Sequence, residues 1–266
     1  MIQLALDFRD ESEALYALLE PLSEEAFAQK TQFKDWTLRD VVAHLHMWNW
    51  AADLTFNDGE AFQNFWKGLV AKIGGGQTLA EITEEWVGGV GSRDLLEKWR
   101  GFYLPMSDRF GAADPKARVV WAGPDMSVRS SITARLMETW AHGQEVYDAL
   151  GVERVDMDRI KNIAVLGVNT FRWTFVNHGL EVPTDLPHVR LKAPSGAVWN
   201  WNEPSEECLV EGDAAEFCQV VTQVRNLADT KLRAVGDAAE RWMSIAQCFA
   251  GPASAPPAPG SRFRQS

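Results

Sequence analysis

Two helical segments, Trp36-Thr37-Leu38-Arg39-Asp40-Val41-Val42-Ala43-His44 and Glu138-Thr139-Trp140-Ala141-His142, carry ligand-type side chains within apolar-periodic patterns. This constrains the fold most, because each segment aims nitrogen or carboxylate groups into the middle of a helical bundle. Residues four apart on a helix lie one above the other, so Glu138 and His142 can hold one ion without backbone distortion. His44 closes the site from a second helix. Two imidazoles and a carboxylate are the three-ligand set of catalytic zinc, with the fourth position left to water or substrate. The spacing therefore predicts a divalent metal site of the catalytic kind.

The neighbouring residues extend this picture. Thr37 is a good N-cap, and Asp40 sits at the third helical position, where a carboxylate answers unpaired amides. Asp40 also precedes His44 by four residues and is expected to accept the second N–H of that ring. Arg135, three residues before Glu138 and seven before His142, falls on the ligand face and is the candidate catalytic residue, an anchor for an anionic substrate. Each residue alone has a plainer role: core histidine, exposed Glu-x-x-x-His pair, simple cap or surface ion partner. The combination carries the reading. His46 is about 200° around the helix from His44 and cannot face the same ion. Val41, Leu45 and Trp48 place His44 beside the apolar stripe, which leaves His46 as a boundary or outer-shell residue.

A chain of 266 residues with 46% hydrophobic and 24% charged side chains is long enough for two ordinary folded domains. Its formal net charge of −11 argues against nucleic acid or an anionic membrane as a general partner. Cys208, Cys218 and Cys248 form neither a disulfide framework nor a Cys-x-x-Cys motif and suit a reducing cytoplasm. No basic region followed by an apolar core opens the sequence, and no stretch reaches the roughly 20 apolar residues of a membrane span. A cytoplasmic protein with a small-molecule partner is the expectation. Most of the 12 tryptophans are expected in the core, with a few walling a pocket.

Helical periodicity predicts helices over about 2–20, 37–56 and 60–72. A long pattern from Thr78 to Phe110 follows, broken near Gly88-Gly89-Val90-Gly91 and kinked or interrupted at Pro105. The helix bearing Glu138 and His142 is expected to be capped by Ser127 or Ser130 and stopped at Gly151. Four long helices make a bundle over 1–151. From Asp156 or Asp158 a further helix should run to His178, followed by strands near 189–192, 197–201 and 207–211 and helices near 213–226 and 237–249. The expected fold class is mostly helical α+β: a four-helix bundle, a small α+β domain over 152–250, and a disordered Pro/Ala-rich tail over 251–266.

The pattern Trp-Thr-(x)2-Asp-Val-Val-Ala-His, followed by Glu-(x)3-His-Gly-(x)2-Val-Tyr-Asp-Ala-Leu-Gly, resembles the N-terminal domain of the mycothiol-dependent maleylpyruvate isomerases within the DinB-like metal-binding superfamily. The resemblance covers about residues 1 to 151. It implies a DinB-like bundle holding a zinc-type ion through His44, Glu138 and His142, and chemistry on a low-molecular-weight thiol such as mycothiol: isomerisation or S-transfer. The segment Val210-Glu211-Gly212-Asp213-Ala214-Ala215-Glu216-Phe217 resembles, less specifically, the α+β domain that accompanies this bundle. None of the cysteines lies in the bundle sequence, so a nucleophilic thiol has to come from a cofactor. Zn2+ is the expected ion, although Ni2+, iron or cobalt suit the same donors. A metal-dependent hydrolase that activates water instead, or a non-enzymatic module whose fourth position is filled by a side chain such as His46, are the alternatives.

Overall fold

The computed structural model describes residues 2–123 and 125–265. The chain divides by its own packing into two compact units, Met1–Ala149 and Leu150–Ser266.

In the first unit, helices α1 (Gln3–Leu19), α2 (Leu38–Asn57), α5 (Ser92–Ala112) and α6 (Val128–Ala149) form a four-helix bundle. α1 packs on α5 and α6, and α2 packs on the same two helices. Phe8, Leu15, Trp99, Tyr103, Phe110 and Trp140 are all buried in this core, where each large apolar side chain contributes about 1.5–3 kcal/mol relative to exposure. The shorter helices α3 (Gly59–Gly74) and α4 (Leu79–Val87) lie against α2.

Local chemistry sets most of the helix ends. Thr37 opens α2 with a capping box, its hydroxyl accepting from the Asp40 amide while the Asp40 carboxylate accepts from the Thr37 amide. Asp58 ends α2 and at once caps α3, accepting from the Ala61 amide at 3.0 Å. The break foreseen near residue 88 is real: Gly88 closes α4 in the left-handed conformation at φ 71°. Pro105, by contrast, does not interrupt α5, which runs through it without a break. Both Pro105 and Gly101, whose carbonyl loses its amide partner, lie on the exposed face, where water can take over the missing bond. A two-residue ribbon, β1 (Arg118–Val119) with β2 (Met126–Ser127), leads into α6, and the Ser127 hydroxyl accepts from the Ser130 amide.

The second unit begins with two helices, α7 (Lys161–Asn169) and α8 (Phe171–Asn177), where the pattern suggested one. At the junction the Thr170 hydroxyl bonds back to the carbonyls of Leu166 and Gly167, an alternative to helical continuation. Strands β3 (His188–Lys192), β4 (Val198–Trp201), β5 (Leu209–Asp213) and β6 (Arg233–Val235) form a sheet in the order β4-β3-β5-β6. Only the β3–β5 pairing is parallel. Helix α9 (Ala214–Val221) follows β5 and packs on α7, and α10 (Asp237–Ile245) follows β6. α9 stops short of the expected position 226 because Gln223 turns left-handed at φ 58°.

The Pro/Ala-rich segment, expected to be disordered, contains no helix or strand over its described residues but is tied down along its length. Side-chain amides of Gln223 and Asn226 donate to the carbonyls of Ser254 and Pro257, and Asp229 accepts from the Gly260 amide. The expectation weighed only the segment's own apolar content and missed the polar side chains that satisfy its backbone. Ser266 lies outside the described residues.

Candidate metal centre

The capping box fixes where α2 starts, and six residues later His44 is buried beside α6. Nε2 of His44 stands 3.3 Å from Oε2 of Glu138, and Nε2 of His142 stands 3.4 Å from the same oxygen. One donor atom from each of the three residues lies within 4.8 Å of the other two. A tetrahedral ion bound at 2.0–2.1 Å separates its ligand atoms by roughly 3.3 Å. The two nitrogen–carboxylate spacings match that separation, and the donor set suits a zinc-type ion.

The rings are oriented from behind. Nδ1 of His142 donates to Oε2 of Glu145 at 3.1 Å, leaving Nε2 to face the other donors. Trp36 stacks on the His142 ring with centroids 5.6 Å apart and lies 5.0 Å from the His44 ring, while Phe33 meets His142 edge-on at 5.2 Å. Both aromatics come from the loop before α2, where consecutive left-handed residues, Lys34 at φ 51° and Asp35 at φ 57°, turn the chain between them.

Charge within the cluster is uneven. Burial pushes the pKa of His44 down to about 4, only partly offset by Glu138, so the ring is neutral at pH 7 with a lone pair to give. Burial acts against a charged His142 as well, but the carboxylates of Glu145 and Glu138 outweigh it and hold that pKa up to about 9. For Glu138, burial is outweighed by its bonds to His142 and His44 and by the Arg135 charge, which hold the carboxyl well below its ordinary range.

The other residues singled out from sequence divide into two groups. Arg135 is brought to the site: it is buried, lies 5.7 Å from the Trp121 ring centroid, and its charge acts on both His44 and Glu138. Asp40 is not brought to His44. Its carboxylate serves Thr37, accepting from the amide at 2.8 Å and the hydroxyl at 2.7 Å, because a short side chain in the first turn reaches the helix end more readily than the turn ahead. Nδ1 of His44 is buried without a hydrogen-bond partner among the described residues. His46 turns away and packs edge-on against Trp86 and Phe102 at 5.2 and 5.6 Å, so it fills no fourth position. Glu145 is the site residue that sequence reasoning missed, although its place three residues after His142 was the available signal.

The family whose description is "Mycothiol maleylpyruvate isomerase N-terminal domain" matches residues 8–147. Uncharacterized proteins of Mycobacterium tuberculosis, from strains CDC 1551 / Oshkosh and ATCC 25618 / H37Rv, are each 37% identical over 246 residues, which cover 92% of this chain and 95% of theirs. Among solved structures, the crystal structure of the mycothiol-dependent maleylpyruvate isomerase superposes with a TM-score of 0.53 at 12% identity, covering 82% of this chain and 87% of that one. At that identity the likeness establishes a common fold, a DinB-like bundle with an α+β companion.

Proposed function

Because the chain belongs to the mycothiol maleylpyruvate isomerase family, we propose that it is a divalent-metal-dependent enzyme acting through a low-molecular-weight thiol, an isomerase or S-transferase that uses mycothiol. The observation that carries this reading is the convergence of two imidazole nitrogens on one Glu138 oxygen at 3.3 and 3.4 Å. In this proposal His44, Glu138 and His142 hold a zinc-type ion. Bound there, such an ion supplies a Lewis-acid position that lowers the pKa of a coordinated thiol.

The chain's own groups do the rest. Burial keeps His44 neutral, Glu145 holds the His142 ring by Nδ1, Trp36 packs against both rings and Phe33 against that of His142. Arg135 is the group proposed to orient an anionic substrate. The first 149 residues contain no cysteine, so the nucleophilic sulfur is assigned to the small molecule.

Titrating the cobalt-substituted protein with mycothiol tests the reading. A thiolate-to-cobalt absorption band that is missing in His44→Ala, together with mycothiol-dependent isomerisation or S-transfer on a small carboxylate, is expected. No band, or hydrolytic turnover indifferent to thiol, contradicts it and points to water activation.

A further inference from the structure

We propose that Arg135 and Ser131 form a carboxylate subsite beside the metal ligands, and that its aromatic walls select an aryl carboxylate. The proposal builds on the metal-site reading and narrows its substrate class. Ser131, Arg135, Glu138 and His142 follow one another on α6 at intervals of four, three and four, which puts them on one stripe of the helix. The C-terminal half of that stripe is satisfied by the protein. In the N-terminal half, Nε and Nη1 of Arg135 and Oγ of Ser131 are buried with no hydrogen-bond partner among the described residues. The two residues are only 4% and 2% exposed.

A buried guanidinium without a hydrogen-bonding anion is strongly unfavourable. The Trp121 ring, 5.7 Å away, interacts with the charge through its face but accepts none of the in-plane N–H bonds. A guanidinium fork matches a carboxylate two bonds at a time, and the Ser131 hydroxyl one turn away is a further donor. From Arg135 the aromatic surface runs through Trp121 to Trp48, 5.9 Å between centroids, and on to His44 at 6.2 Å. Phe62 already stacks on Trp121, centroids 5.2 Å apart and 10° from parallel, so the indole next in line, Trp48, is the one left to stack on a flat ring. A ligand with its carboxylate on Arg135 therefore lays its ring against Trp48 and its far end toward the metal ligands. Partial exposure of the Glu138 side chain, 23%, leaves this face reachable from solvent.

Calorimetric titration of the full chain with benzoate, in metal-free and zinc-loaded forms, tests the subsite. Benzoate is expected to bind both forms, with benzamide and the non-aromatic carboxylate crotonate at least tenfold weaker. Arg135→Met should abolish benzoate binding and Ser131→Ala should weaken it several-fold. Arg135→Met should keep its zinc, which shows that the metal ligands stay in place when the guanidinium is removed. Equal binding of benzamide or crotonate, or benzoate binding that survives Arg135→Met, would overturn the proposal. Because the metal-free arm needs no ion, failure of the metal reading is seen separately, as absence of zinc in every form.

Discussion

At the residue scale the proposed centre depends on proton bookkeeping at two histidines of opposite character. In the metal-free protein at pH 7, His44, with its pKa down at about 4, is neutral, while His142, held up to about 9, carries a proton. An ion taking Nε2 of His142 must displace that proton, so its affinity should rise as pH rises, about tenfold per unit from about pH 4 to 9. Titrations at pH 7 in buffers of different ionisation enthalpy should report about one proton released per ion. Release of none or of two contradicts the assignment. Glu145→Gln should loosen the metal by about 10–100-fold, as loss of a ligand's supporting carboxylate usually does, and should reduce the proton release as His142 loses a partner. If affinity stays within twofold of wild type, Glu145 does not orient the ring. The clustering of His44, Glu138 and His142 was legible because helical spacing is rigid. The Asp40 partnership was misread because spacing alone does not decide between two acceptor geometries open to one short side chain.

At the scale of elements, helix boundaries were written most clearly where cap chemistry is explicit. Thr37→Ala removes the hydroxyl half of the capping box and should destabilise the first unit by about 1 kcal/mol in urea unfolding. No change would mean that α2 is positioned by packing alone. In the second unit a Cβ at Gly167 would meet Val221 and Phe217 side-chain atoms at 2.9–3.1 Å, where α7 approaches α9. Gly167→Ala should therefore cost about 1–3 kcal/mol, read as a lowered melting temperature. An unchanged melting temperature would show that those side chains yield freely. Elements that escaped the sequence reading are the short ones. β6 spans three residues, and β1 and β2 two each, too short for an alternation to register. The splitting of one expected helix into α7 and α8 depends on a threonine back-bond that periodicity does not reveal.

At the scale of the whole molecule, the proposed ligands, the carboxylate behind His142 and the candidate anion subsite all fall within Met1–Ala149. Adding zinc should therefore slow hydrogen exchange in α2 and α6 while leaving the β3–β5 amides of the second unit unchanged. The mostly helical α+β class was readable because helical and strand periodicities occupy separate stretches of the chain. The tail was not, since its order comes from side chains of Gln223, Asn226 and Asp229, far from it in sequence. Among the described residues no helix is long and apolar enough to cross a membrane. The most direct test of the central claim is metal content by elemental mass spectrometry on untagged wild type, His44→Ala and His142→Ala. One tightly held zinc-type ion per chain, lost in both variants, is the predicted result. A wild type that takes up no ion even after reconstitution with zinc or nickel would contradict it and leave the two histidines as core residues of the bundle.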